Sequence, residues 1–449
     1  MSLATFPGGI HPPYNKEGTK DKPLVYAPLP EIVRIPLAQH IGAPAKPVVK
    51  VGDMVKTGQV IAEAGGFVSV PHHASISGKV KFIKEFPHPF GGKMPSIEIE
   101  SDGKDEKTIP MQKSPDWRSL SPSEIKNLIK DAGIVGLGGA AFPTHVKLSP
   151  PENRTIDTLL INGAECEPFL SCDHRLMLEK TDEILEGILI MSHALGIKKI
   201  VIAIEENKSD AVEILRNKTA NNGIFNIVIC EAKYPQGSEL QLMKAALNIE
   251  LPKSKLPMEA GIIVQNVGTA FAVFEAVVKG KPLYERAVTV AGDGVAKPGN
   301  YIIRIGTLFE NVINAAGGVK PGVGNIGKLI MGGPMMGLAQ SNTDVPVIKG
   351  TSGILLFPEL NIKKGIPLAC IRCGKCEFAC PMRLPVARLG LATEFENYKM
   401  AEELSVMECM ECGSCSYVCP SNRPMTQYMR ISKAAAIERR AKEKSAGGK

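Results

Sequence analysis

The sequence predicts a multidomain chain of α/β plus β class, on three observations. Two cysteine runs of identical spacing lie near its end. Apolar strands alternate with helices across residues 109–280. Short strands punctuated by Gly and Pro flank that stretch on both sides. The expected order is a barrel-sandwich module over 1–108, an α/β domain over 109–280, a β-grasp-like module over 281–362, a cysteine-rich domain over 363–430 and a basic tail over 431–449.

A chain of 449 residues has room for roughly three domains by length alone. Its 44% hydrophobic and 22% charged content are ordinary for a folded chain. The net charge of +7 is mostly local, since residues 430–449 hold seven Lys/Arg against two Glu. The rest is nearly neutral, so no nucleic-acid partner is implied. The tail reads either as a contact for an anionic surface or acidic partner, or as a solvated end. The first residues show no charged region followed by an apolar run, and no stretch of about 18 apolar residues occurs. The expectation is a chain without signal peptide or membrane span, in a reducing compartment, reaching any membrane through partners.

In the first module, Val48 to Ala62 alternates apolar and polar residues around Gly52-Asp53, and Ser75 to Ile83 continues the pattern. This resembles the barrel-sandwich modules that carry biotin or lipoyl groups. The tip, Gly65 to His73, lacks the lysine such an arm requires. His72 and His73 read as a hydrogen-bonded loop pair or as metal ligands.

In the α/β domain, Ser121-Pro122-Ser123-Glu124 gives a capping residue, Pro at the first helical position and Glu at the third. Strands are expected over 157–161, 199–204, 226–229 and 261–265. Helices are expected over 182–195, 210–218, 239–247 and 269–278, with Gly196 as a stop. Continuous apolar strands between helices predict a mostly parallel sheet.

Between the first helix and first strand lies Gly133-Ile-Val-Gly136-Leu-Gly138-Gly139-Ala-Ala-Phe142-Pro-Thr-His-Val-Lys147. It formally fits a dinucleotide fingerprint, but that turn must follow a strand, and residues 125–131 read as helix. What remains is a bare backbone loop that can lie against a ring system or phosphate, with Lys147 placed to meet a phosphate. Asn162-Gly-Ala-Glu165-Cys166-Glu167-Pro168 and Asn266-Val-Gly-Thr269 each follow a strand, where ligands bind in such sheets. An Asn amide can read a flavin edge with donor and acceptor, and paired glutamates can accept from ribose hydroxyls. Of the cysteines outside the two runs, Cys172 and Cys230 read as buried thiols, and Cys166 is placed to touch a ligand.

Residues 281–362 show strands over 286–290 and 299–304, a helix over 307–316 and a strand over 328–331, a β-grasp-like order. The cysteine runs follow. Cys370, Cys373, Cys376 and Cys380-Pro381 repeat 39 residues later as Cys409, Cys412, Cys415 and Cys419-Pro420, with helical sequence over 384–404 between them. C-x2-C-x2-C-x3-C-P is the bacterial ferredoxin spacing, in which three thiolates wrap one [4Fe–4S] cluster and the fourth ligates the other. One cluster is thus expected on Cys370, Cys373, Cys376 and Cys419, the other on Cys409, Cys412, Cys415 and Cys380. A zinc site would not need two such runs, and disulfides would need an oxidising compartment.

The Gly-rich loop, the Asn162 stretch and the Asn266 stretch together resemble the flavin- and NADH-binding subunit of respiratory complex I. Tyr234-Pro-Gln-Gly237-Ser-Glu239 resembles that family's loop over the flavin. Ala164 stands where that family has Asp, and Gln265 replaces the first Asn of its pair. The full order of modules, with Gly8-Gly-Ile-His11-Pro12 at the start, is similar end to end to the C subunit of the Rnf electron-transport complex.

The resemblance implies a peripheral protein on the cytoplasmic face of the membrane, exchanging hydride with NAD(H) at FMN and relaying electrons through two clusters. Partners would be the membrane subunits of the Rnf complex and its ferredoxin-type iron–sulfur subunit, with ferredoxin reached indirectly. It implies that Gly136, Gly138, Gly139, Lys147, Asn162, Asn266 and Thr269 hold FMN. Phe142, Glu165 and Glu167 would position the nucleotide, and Tyr234, Gly237 and Glu239 would cover the flavin. No side chain need act as general acid or base, because hydride transfer belongs to the flavin. Two other readings stay open: a cobalamin reductase of a diol-utilisation microcompartment, and a non-catalytic cluster-bearing docking subunit.

Overall fold

The computed structural model describes residues 3–362 and 365–446, with side chains described through 443. The expected boundary at 362/363 and the end of the basic tail lie outside the described residues. Residues 3–22 hold no strand beyond single bridges and run over later parts of the chain, while β1 (Leu24–Tyr26) pairs in a distant sheet.

The barrel-sandwich module follows. It consists of β2 (Ile32–Pro36), β3 (Lys46–Pro47), β4 (Met54–Val55), β5 (Val60–Glu63), β6 (His72–His73), β7 (Gly78–Pro87) and β8 (Lys93–Ser101). They form two antiparallel sheets ordered β2-β8-β7-β4 and β3-β5-β6 around Val33, Ile35, Ile61, Ile76, Val80, Ile97 and Ile99. The long alternating run from 48 to 62 is divided into two short strands, because Gly52 (φ 100°) and Gly58 (φ 86°) turn the chain through the left-handed region.

The α/β domain opens on α1 (Pro122–Asp131). Ser121 and Glu124 cap it reciprocally, as the sequence predicts. Then come α2 (Thr144–Lys147), β9 (Thr158–Gly163), α3 (Cys172–Glu179), α4 (Thr181–Leu195), β10 (Lys199–Glu205) and α5 (Ser209–Thr219). β11 (Phe225–Cys230), α6 (Glu239–Leu247), β12 (Ile262–Asn266) and α7 (Val267–Lys279) complete it. The sheet β11-β10-β9-β12 is wholly parallel. Gly187 of α4 backs onto α7 so closely that a Cβ would meet the Ala270 carbonyl oxygen at 1.9 Å, which fixes the glycine.

The third unit comprises β13 (Glu285–Ala291), β14 (Gly299–Arg304), α8 (Phe309–Ala315), β15 (Ile326–Met331), β16 (Leu338–Gln340) and β17 (Gly353–Pro358). The expected strand–strand–helix–strand order is present inside a larger mixed sheet, β1-β14-β13-β17-β15-β16. β1 arrives from far away in the chain and pairs parallel to β14, which local patterning cannot reveal.

The cysteine-rich unit holds α9 (Lys375–Phe378), α10 (Val386–Glu394), α11 (Tyr398–Glu403), α12 (Ser414–Tyr417) and α13 (Met425–Ala446). α13 revises the reading of the tail. Its first half packs on α10, burying Met429 and Ala436, with the Ser432 hydroxyl bonded to that of Thr393. Arg430 and Lys433 pair with Glu411, and Arg439 and Arg440 with Glu402. Much of the tail's charge is therefore neutralised within the chain. Among the described residues no helix is long and apolar enough to cross a membrane.

Candidate functional site

The parallel sheet brings Asn162 and Asn266 side by side, because β9 and β12 are in register there at their C-terminal ends. Asn266 caps α7, its Oδ1 accepting from the Gly268 and Thr269 N–H groups at 2.8 and 3.3 Å. Its Nδ2 donates to Asp173 at 2.6 Å. Asn162 Nδ2 donates to the Gly237 carbonyl at 2.7 Å, and its Oδ1 accepts from the Ala164 N–H. The two amides thus first order the strand ends and the loops beside them.

The Gly-rich loop crosses over this edge. It follows α1, which bears out the rejection of a dinucleotide turn. The Gly136 N–H donates to the Phe142 carbonyl at 2.8 Å, and the Leu137 N–H to the buried Thr269 hydroxyl at 2.9 Å. A Cβ on Gly138 would lie 3.3 Å from Asn266, whereas one on Gly139 (φ 129°) would meet nothing. Residues 138–140 are exposed, a bare ribbon above the positive end of a 13-residue helix. A flat ring with a phosphate tail suits such a surface.

Two cations that sequence reasoning missed fasten this loop from behind. Lys349 is fully buried and donates to the Gly133 and Pro71 carbonyls at 2.7 and 3.1 Å. Burial pushes its ammonium down to about 7. Arg286 donates to the Leu137 and Lys349 carbonyls. Both are outside the α/β domain, and nothing in their local sequence marks them.

Lys147, on α2, forms an ion pair with Glu239 at the start of α6, closing one side of the seat. The two glutamates are placed differently from expectation. Glu165 accepts from the Asp173 and His174 N–H groups at the start of α3, at 2.8 and 3.2 Å. Glu167 accepts from the Met335 and Met336 N–H groups at 3.0 and 2.8 Å, and burial pushes its carboxyl up to about 7. Both carboxylates therefore face protein N–H groups, because the strained 165–169 loop (Glu165 φ 46°, Phe169 φ 68°) turns them inward.

Tyr234 faces the cysteine runs. Its ring is buried and its hydroxyl donates to the Cys412 carbonyl at 2.7 Å, so its side chain meets a cysteine run. Gly237, three residues on, remains beside Asn162, and its N–H donates to Cys166 Sγ at 3.2 Å. Cys166 thus serves a backbone contact, and Cys172 and Cys230 are buried as expected. His72 and His73 form a strand, with His72 Nε2 against the Leu37 carbonyl, and burial takes His73 down to about 3.

Cys380, Cys409, Cys412 and Cys415 line one pocket, walled otherwise by residues such as Pro381, Leu384, Val386, Met410 and Met429. One thiol comes from the first run and three from the second, in the crossed arrangement that the spacing predicts. Four thiols around an apolar space fit a cubane cluster. Burial pushes Cys409 up to about 11 and Cys415 to about 12, so bare thiolates are disfavoured and positive iron would be needed to hold that form. Gly374 (φ 73°) and Gly413 (φ 79°) make the left-handed turn in each run. The other set lies nearer solvent, with Cys373 exposed and Cys370, Cys376 and Cys419 half-buried. The Leu368 N–H donates to the Ser421 carbonyl at 2.9 Å, bringing the approach to Cys370 against the exit from Cys419.

Four family models match the chain in order. They are an RnfC barrel sandwich hybrid domain over residues 4–104, a Nuo51 FMN-binding domain over 129–275, an SLBB domain over 287–339 and a 4Fe-4S dicluster domain over 364–420. The chain is 45% identical over 433 residues to the C subunit of the proton-translocating ferredoxin:NAD(+) oxidoreductase complex of Clostridium ljungdahlii, covering 96% of this chain and 94% of that protein. It is 44% identical over 438 residues to the C subunit of the Na(+)-translocating ferredoxin:NAD(+) oxidoreductase complex of Acetobacterium woodii, covering 98% of each. It is 42% identical over 439 residues to the C subunit of the ion-translocating oxidoreductase complex of Rhodobacter capsulatus, covering 97% of this chain and 84% of that one.

Proposed function

The chain belongs to the family of C subunits of ion-translocating ferredoxin:NAD(+) oxidoreductase complexes, and from that premise we propose that it exchanges electrons between NAD(H) and the other subunits through FMN, an inner cluster and an outer cluster. FMN, when bound, supplies the conversion between a two-electron hydride and single electrons. The chain's residues supply the seat and the separation. The ribbon at Gly136, Gly138 and Gly139 presents backbone to the ring, with Phe142 at its end. Lys147 and the start of α7 offer positive charge to a phosphate, and Asn162, Asn266 and Thr269 set the floor. Glu165 and Glu167 act by holding the loops around that floor.

The single observation that carries this reading is the 231–239 loop. On one side its Gly237 carbonyl accepts from Asn162, and on the other Tyr234 bonds the Cys412 backbone. Candidate flavin floor and inner cluster are therefore joined through four residues of one loop. The outer set lies nearer solvent, and Ile366, Leu368, Ile371 and Phe378, its neighbours in the chain, are exposed. Such an apolar rim at a cysteine run suits a redox partner among the other subunits of the complex, on the cytoplasmic face of the membrane.

The test is an anaerobic NADH titration of iron-reconstituted protein with added FMN, followed by absorbance and electron paramagnetic resonance. Flavin bleaching with reduced-cluster signals is expected. A chain that binds no flavin and ignores NADH would be a cluster-bearing docking protein instead.

A further inference from the structure

The segment before β1 lies within the barrel-sandwich match but packs away from that module's two sheets. The Gly9 N–H donates to the Ala379 carbonyl at 2.9 Å, one residue before the inner-set ligand Cys380. Ile10 exchanges both backbone hydrogen bonds with Tyr234, each 2.9 Å. Its side chain, 6% exposed, is buried with Tyr234, Ala379 and Cys412. Lys16 is buried and donates to the Glu165 carbonyl at 2.5 Å. One nine-residue stretch thus touches the first cysteine run, the loop beside Asn162 and the loop after β9.

Two glycines show how tightly it is fitted. A Cβ on Gly8 (φ 77°) would lie 2.6 Å from the Cys380 carbonyl oxygen, and one on Gly9 (φ 80°) would lie 2.7 Å from that of Tyr234. Both partners are backbone and cannot swing aside. The strap therefore packs on the cysteine run and on the flavin-side loop with no room for a methyl group on either side.

We propose that Gly8–Lys16 is a positioning strap that sets the separation between the inner cluster and the flavin seat. The inference rests on the electron-transfer reading above. The exchange it serves moves one electron between flavin and cluster, oxidising one and reducing the other, with no covalent bond made or broken. Tunnelling falls steeply with separation, so a displacement of an ångström matters where neither group touches the strap. Further ties to the α/β domain, at Pro381, Arg383, Ser405 and Glu408, hold the outside of the cysteine domain. The strap adds a bond at Ala379 and a packed Ile10 side chain between Tyr234 and Cys412, next to the inner ligands themselves.

The test uses full-length protein carrying Gly8→Ala, Ile10→Ala or, as control, Gly18→Ala, whose Cβ meets nothing nearer than 3.6 Å. Stopped-flow mixing with NADH reads flavin bleaching and cluster reduction separately, beside FMN and iron content. Gly8→Ala is expected to slow cluster reduction several-fold, with bleaching, FMN and iron unchanged, and Ile10→Ala to slow it less. Hydrogen exchange on iron-loaded protein without FMN is expected to show residues 232–237 and 376–381 losing protection in Gly8→Ala only where they meet the strap. Wild-type cluster reduction in both variants, unchanged exchange, or loss of iron from both would overturn the proposal. Absence of flavin bleaching in the wild type would sink the electron-transfer reading, while the exchange measurement would still decide the strap.

Discussion

Lys147 and Glu239 form an ion pair across the mouth of the proposed seat, and the lysine keeps a fifth of its side-chain surface exposed. A phosphate would compete with the carboxylate for it. Lys147→Ala is expected to weaken FMN binding roughly tenfold, the scale of one charge-assisted contact, in a fluorescence titration, with iron content unchanged. Glu167 makes a pH prediction. Burial raises it from 4.5 to about 7, so the folded chain holds a proton that the unfolded chain has lost between those values. Stability therefore falls as pH rises through that window, by on the order of 3 kcal/mol. Glu167→Gln should flatten this trend, so that melting temperatures at pH 5.5 and 8 differ less than in the wild type. Lys147, Asn162 and Asn266 were legible as candidates because each ends a recognisable element. The inward turn of Glu165 and Glu167 was not, because it depends on the N–H groups of α3 and of residues 335–336. Lys349 and Arg286 were invisible for the same reason, their partners being carbonyls of a loop more than a hundred residues away.

At the scale of elements, local chemistry was a good guide. The Ser121 box placed the start of α1, and α6 spans the residues its pattern marks. Ser121→Ala should cost about 1 kcal/mol, measured by denaturant unfolding of the α/β domain. The crossed cysteine arrangement gives a sharper test. Cys380 belongs to the first run but stands with Cys409, Cys412 and Cys415. Cys380→Ser should remove or alter the resonance of the cluster held by the second run and leave the other signal, whereas uncrossed runs would lose the first. α13 escaped the sequence reading because a Lys/Arg-rich segment looks the same whether its cations meet solvent or Glu402 and Glu411.

At the scale of the molecule, the cysteine domain is small, with a core of residues such as Leu384, Val386, Leu389, Val406 and Met429. A unit of about 80 residues needs staples, and the clusters are the natural ones. Chelating the iron should therefore abolish exchange protection across 365–446, leave the parallel sheet protected, and loosen the 232–237 loop where Tyr234 meets Cys412. Protection of all three regions after iron removal would show that the joint does not depend on the clusters.

The sequence by itself determined the order of modules, the parallel sheet, the bare loop and the two cysteine runs, because each is written in spacing and periodicity within a few turns of chain. Only the tertiary structure decided what those parts face. It set Asn162 beside Asn266, turned Tyr234 toward Cys412, drew β1 into a sheet built some 260 residues later, and passed residues 8–16 between the inner cysteines and the 232–237 loop. Those placements rest on backbone carbonyls and N–H groups, which every residue carries, so no side-chain pattern announces them.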